Sequence, residues 1–347
     1  MARLLPAALL LLLGQAIAAE PPKASIAARA AVGLSTALPA GAFAESARRI
    51  LLQPYAAATG GTISTLAWDG GNLAALNLHP VDLALVHGAQ IVAGCASGLF
   101  TTAGLTAPPP NDLPATVQSA CGVPAFVNTI VLAWCAKHVP APPDWRVFWD
   151  VARHPGRRGL PRAARASLEI ALMADGVATS DLYKVLATLQ GQDRAFRKLD
   201  QLKPYVLWWD RPDQAAVWLT GGKVLMSAGW TSTLASAPPS RGCPYQEQWA
   251  GSLPEVYFWA IPANAPDKPA ARRAILVATD IARQAALAAA TGLAPVSDDA
   301  DSMRPAGSRD ASGTNLAHLA AGVWGGDRFW AAQGITLEHR FTDWVAH

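Results

Sequence analysis

The stretch Val81–Phe100, VDLALVHGAQIVAGCASGLF, decides how the chain folds. Its first six residues form a compact apolar run with the length and composition of a buried strand. The run breaks at His87-Gly88, and a helix-like stretch with Ile91 and Val92 follows directly. Strand, glycine-containing joint and helix are the repeating unit of a parallel α/β sheet. The same alternation continues on both sides. Upstream, Ala30–Leu34 reads as a short strand ending at Gly33, with Ser35-Thr36 in the loop after it. Ala42–Gly60 then carries apolar residues at helical spacing and stops at Gly60-Gly61, and Thr62–Trp68 reads as a strand followed by an Asp-Gly-Gly turn. Downstream, strand-like Tyr205–Trp209 precedes a helix that begins at Pro212, for which Asp210 is the expected cap. Glu255–Ile261 is a strand, and the chain closes on a helix carrying Trp330, Ile335, Leu337, Phe341 and Trp344.

In open α/β sheets ligands gather beyond the carboxyl ends of the strands. The loops Ser35–Ala42, Trp68–Asn72, His87–Gln90 and Gly229–Thr233 are therefore where a site is expected. The last is the most pointed: the apolar run Val224-Leu225-Met226 empties into small residues and then presents one large ring, Trp230.

The composition limits the function classes. With 347 residues, 51% hydrophobic and 15% charged, the chain is an ordered globular protein of one large or two modest domains. A net charge of +3 supplies no general field for nucleic acid or an anionic membrane. The densest basic cluster, ARHPGRRGLPR at Ala152–Arg162, reads as a solvated loop and not an RNA patch. The first 19 residues, with Arg3, the apolar run Leu4–Leu13 and Ala16-Ile17-Ala18, have the pattern of a secretory signal peptide. The expected mature protein is exported and periplasmic, with no membrane span and no lipid anchor. Four cysteines, Cys95, Cys121, Cys135 and Cys243, then meet an oxidising compartment, and their spacing excludes a CxxC pair and a zinc ribbon. Three pairings remain open at this point.

Motifs of catalysis are missing: there is no HExxH, no phosphate loop and no GxSxG. The seven histidines lack ligand spacing, and Glu169, on a presumed helix, reads as a solvent-facing carboxylate. No metal, cofactor or enzymatic activity is expected.

Four stretches carry a resemblance: FWDVARHPGRRGL, LEIALMADGV, YKVLATLQGQDRAFRKLDQLKPYVLWW and AIPANAPDKPAARRAILVATDIARQAALAAATG. In this order they are similar to the spermidine/putrescine-type solute-binding proteins of ABC importers. The resemblance implies an α/β, two-lobed periplasmic binding protein fold (type II) with two hinge crossovers, near Gly122–Val127 and Trp259–Ala263. One lobe would comprise residues 24–124 plus 262–347, with the C-terminal helices free to pack across both lobes, and the other residues 125–261. It also implies a Cys95–Cys121 bridge, with Cys135–Cys243 as a second, and a monomer that hands a small solute to an inner-membrane ABC permease.

Carried over residue by residue, the resemblance puts an aromatic wall at Trp230 and an acid–aromatic pair at Glu255 and Tyr257, in inverted order. The remaining expected contacts are Ser35, Thr36, His87, Trp68 and Asp69. An aromatic face and a carboxylate together hold an ammonium group. The family's acids are nevertheless missing in two places. Arg162, Ala163, Arg165 and Ala166 stand where spermidine binders open a helix with acids, and Val86, His87 and Gly88 stand where others have acids. A polyamine is the solute by family, and a less cationic or carboxylated solute is the alternative that Arg162 and Arg165 raise. A secreted two-lobed enzyme and a solute sensor are the rivals from other classes.

Overall fold

The computed structural model describes residues 33–39, 42–68, 73, 75–105, 112–237, 244–305 and 316–347. The signal-peptide pattern, Asp69 and Cys243 lie outside the described residues, and with Cys243 the expected second disulfide.

Among the described residues nine strands form one mixed sheet: β1 Leu34–Pro39, β2 Ile63–Trp68, β3 Leu83–His87, β4 Phe100–Thr101, β5 Gly122–Cys135, β6 Arg158–Pro161, β7 Val206–Trp209, β8 Met226–Trp230 and β9 Tyr245–Pro262. They are ordered β2-β1-β3-β9-β5-β8-β6-β7, with β4 on β9. At one end β2, β1 and β3 are parallel; at the other β6 is parallel to both β7 and β8. The long strands β5 and β9 run antiparallel between them and join the two halves. Leu83 to Val86 of β3 are apolar and buried, as the opening stretch of sequence suggests, and only His87 at its end is partly exposed. All 14 residues of β5 are buried, and its register against β9 shifts between Pro124 and Phe126 and again between Ile130 and Leu132. Proline lacks the N–H that a ladder needs, so a break at Pro124 is where a central strand bends. The two expected crossovers fall on this pair, with Gly122 opposite Ala260 and Val123 opposite Trp259.

Helix stops follow the glycines: Gly60 ends Gln53–Thr59 in the left-handed conformation at φ 67°. The C-terminal helix Asp327–Ala346 packs against both Gly88–Ala96, behind β3, and Ala164–Ala174, behind β6, so it bridges the two halves. Cys95 and Cys121 are joined as a disulfide, tying the first of these helices to the approach of β5. No single described helix is long and apolar enough to cross a membrane.

Three local expectations are corrected. Residues 30–32 of the expected first strand lie outside the described residues; β1 runs from Leu34, so Ser35 and Thr36 lie inside it and not in a loop after it. Both hydroxyls find partners there, Ser35 on the buried Asp82 carboxylate at 2.7 Å and Thr36 on the Ser64 carbonyl at 3.0 Å. Likewise the small residues before Trp230 are the strand itself; Ser227 lies opposite Gly159, and a side chain on Gly159 would collide with it. Asp210 does not cap the helix at Pro212: its backbone N–H donates to Gln214, and its carboxylate meets Arg162 at 2.9 Å on the surface.

Candidate functional site

The carboxyl ends of β3, β6, β7 and β8 converge, at His87, Pro161, Trp209 and Trp230, on a cavity of about 260 Å³. This is the crevice that the topology of an open sheet provides for a ligand. β9 adds Leu253, Pro254 and Glu255 from the middle of the molecule, the segment before the C-terminal helix adds Val323 to Gly326, and the helix itself adds its first residue, Asp327. Tyr183, Trp209, Trp230 and Trp324 give it aromatic walls.

The charged centre is Arg165. Its guanidinium lies 3.0 Å from Glu255 and 3.1 Å from Asp327. Burial works against its charge, but the two carboxylates outweigh burial and hold its pKa above the ordinary value. Burial and Glu255 push the Asp327 carboxyl up while Arg165 pulls it down, and the net shift is upward. Glycine makes this approach possible: a Cβ on Gly88 would collide with the Asp327 carboxylate, so only glycine lets the acid rest against the start of the Gly88–Ala96 helix. The Tyr257 hydroxyl is hydrogen-bonded to Glu255, and its ring stacks on Phe126.

Backbone distortion aims Arg165 into the cavity. Ala166 adopts φ 72° and ψ −45°, and Arg165 itself ψ 136°, in what would otherwise be the first turn of a helix. Two carboxylates hold the bend. Glu338, on the C-terminal helix, accepts the Ala164 N–H at 2.9 Å, and Glu169 accepts the Ala166 N–H at 2.8 Å. Glu169 also accepts the Trp330 indole N–H at 2.5 Å and is 1% exposed. Burial pushes its carboxyl up to about 7, against the opposing pull of Arg165 and these donors. His87 stands across the cavity, its Nδ1 3.8 Å from Glu255. Burial brings its pKa down to about 4, so the ring is neutral at neutral pH.

Of the residues singled out from sequence, Trp230, Glu255 and His87 line the cavity together. Tyr257 lies behind Glu255, outside the lining. Ser35, Thr36 and Trp68 do not line it; Trp68 is buried at the end of β2 among Leu76 and Val81. Glu169 is the reverse of its solvent-facing reading, for it faces the cavity fully buried. A signal for this existed: Glu169 sits in SLEIALMA, a stretch apolar all round, as in a helix covered on every side. Asp327 was not signalled by its sequence neighbours, because its role depends on which helix the C-terminal segment meets.

Comparison with known proteins bears on the same geometry. The family model of bacterial extracellular solute-binding proteins matches residues 53–314. A γ-aminobutyric acid-binding protein of Pseudomonas aeruginosa is 37% identical over 268 residues, 76% of each chain. This chain belongs to the bacterial extracellular solute-binding protein family. Among solved structures, a GABA receptor superposes with a TM-score of 0.80 at 23% identity, covering 90% of this chain and 98% of its own. An ABC transporter substrate-binding protein from Bradyrhizobium japonicum gives 0.76 at 24%, covering 90% and 99%. These two share the fold, the two-lobed architecture of periplasmic binding proteins.

Proposed function

We propose that this solute-binding protein takes a small zwitterion, an ω-amino acid of the γ-aminobutyrate type, into the cavity and delivers it to an inner-membrane ABC permease. The observation that carries the reading is Arg165 set between Glu255 and Asp327 in a cavity that Trp230 also lines. A carboxylate ligand has a guanidinium to meet, and an ammonium has two acids and an aromatic face. The cavity, about 260 Å³, lies below the roughly 300–1,000 Å³ of drug-sized sites, which suits a short chain. The named ligand of the Pseudomonas relative points the same way. Against spermidine or putrescine stands the guanidinium itself, which places positive charge where a polycation would lie. In this reading residues 24–124 with 262–347 form one lobe, residues 125–261 form the other, and the lobes close about β5 and β9.

Calorimetric titration of the purified protein with γ-aminobutyrate, butyrate, putrescine and spermidine tests this. The zwitterion is expected to bind about tenfold or more tightly than either butyrate or putrescine, since each lacks one charge-assisted contact. Putrescine or spermidine binding as well as γ-aminobutyrate would restore the polyamine reading.

A further inference from the structure

The basic segment Ala152–Arg162, which meets the cleft only at Pro161, folds around a buried guanidinium. Arg158, the first residue of β6, is 0% exposed. Every hydrogen bond it makes runs to a backbone carbonyl: Nε to Phe148 at 2.7 Å, Nη1 to Gly156 at 2.7 Å, and Nη2 to His154 at 2.7 Å and Asp150 at 3.5 Å. Gly156 supplies its carbonyl from φ 144°, a conformation open to glycine. Carbonyl dipoles thus solvate a charge without cancelling it. Burial brings the pKa down to about 10, partly offset by Asp150, so the group stays cationic at neutral pH.

Beside this charge opens a second cavity, of about 440 Å³, lined by His138, Arg153, His154, Arg157 and Lys223. Its described lining contains no acid. Three distant segments build it, and backbone hydrogen bonds stitch them together: Cys135 N–H to the Leu225 carbonyl at 3.0 Å, and Leu225 N–H to the Arg157 carbonyl at 2.9 Å. The cationic rim is held mainly by neutral groups. Arg157 donates to the Pro204 carbonyl at 2.8 Å, and the Lys223 ammonium lies 4.7 Å from the Trp218 ring centre. Arg153 has Asp150 at 3.5 Å, but its side chain is 85% exposed, where such a pair cancels little. The cavity lies at the amino ends of β6 and β8, the opposite ends of those strands from Pro161 and Trp230. A net charge of +3 conceals this concentration.

We infer that this pocket is a second binding site, separate from the solute cleft, for a phosphate group, either free or carried on an anionic headgroup. Cationic and imidazole side chains reach its lining from three separate segments. A tetrahedral oxyanion with several acceptor oxygens uses them better than a planar carboxylate does, and arginine forks suit it.

The test uses the purified protein and the triple variant Arg153→Gln/Arg157→Gln/Lys223→Gln, with circular dichroism and melting temperature to establish that the variant is folded. Inorganic phosphate is titrated by calorimetry and by the imidazole NMR signals of His138 and His154. Vesicles of phosphatidylglycerol and of phosphatidylcholine are compared by cosedimentation. Saturable phosphate binding that moves both histidine signals and weakens about tenfold or more in the folded triple variant is the expected result. Retention on phosphatidylglycerol alone, lost in the variant, would identify a headgroup as the source; phosphate binding without retention would identify the free anion. The inference is overturned if the wild type shows neither, or if the variant binds as the wild type does.

Discussion

Arg158 and Arg165 stand seven residues apart in sequence, the first fully buried and the second partly buried at the cavity, and their charges are answered in opposite ways. Carbonyl groups surround Arg158, whereas Arg165 meets the carboxylates of Glu255 and Asp327. Carbonyl dipoles stabilise a cation and leave its field standing, so the region around Arg158 favours an anion. Carboxylates cancel the field, so the region around Arg165 favours a molecule that carries both signs and exchanges one set of pairs for another. The same residue type, a few residues on, thus sets up two recognition chemistries.

The sharpest way to break the comparison is to remove each charge. Arg165→Gln leaves Glu255 and Asp327, with side chains 8% and 15% exposed, facing each other without a cation. A carboxylate ligand then loses its charge-assisted partner, worth about 1.5–3 kcal/mol, so γ-aminobutyrate affinity should fall about ten- to a hundredfold in calorimetry. Arg158→Gln strands carbonyls that now accept charged donors. It should lower unfolding free energy in urea by about 3 kcal/mol, while molecules that remain folded keep their cleft affinity. Equal losses of affinity in both variants would end the distinction.

Next in size are two titrations that oppose one another. The Glu169 carboxyl is raised to about 7 from 4.5, so the folded state holds its proton more tightly than the unfolded chain does. Its contribution is fully present below pH 4.5 and is lost as pH rises to about 7. The His87 ring is lowered to about 4 from 6.5, so its contribution is present above pH 6.5 and is lost as pH falls to about 4. Each shift is worth on the order of 3 kcal/mol, and between pH 4.5 and 6.5 they largely cancel. Glu169→Gln should therefore expose a stability that climbs with pH over that window, and His87→Gln one that declines. Melting temperatures across pH 4 to 7 read the two slopes, and parallel profiles for wild type and both variants would refute the assignment.

Legibility in the sequence follows the range of the interaction. Strand and helix order was readable because burial on both faces gives apolar runs such as Val81–Val86, and glycines such as Gly60 mark helix ends locally. Trp230, Glu255 and His87 were readable because each sits at or near a strand position that topology makes part of the crevice. Ser35 and Thr36 were misread for want of a strand start, since small polar residues read as loop until a partner such as Asp82 is known. Arg165 was visible as an anomaly without its partners, and Asp327 is 162 residues away from it in sequence. No local pattern records a contact at that separation; it exists because the C-terminal helix returns across both halves of the sheet.

The smallest predicted effect concerns how Arg165 is held. Ala166 sits at φ 72° and ψ −45°, near the rare γ-turn region that costs a side-chain-bearing residue about 1–3 kcal/mol. Arg158 needs no such distortion, being the first residue of a regular strand. Ala166→Gly should relieve the strain and raise unfolding free energy by about 1 kcal/mol, less what glycine adds to unfolded-state entropy. If the strain serves positioning, the freed backbone will let Arg165 wander, and γ-aminobutyrate affinity will fall by about two- to threefold. Glu338→Gln should act in the same direction on affinity without the gain in stability, because it weakens the acceptor of the Ala164 N–H and leaves the strained residue in place. A glycine variant that is more stable and binds as tightly as the wild type would show that the carboxylates of Glu169 and Glu338 alone fix the guanidinium, and that the strain contributes nothing to recognition.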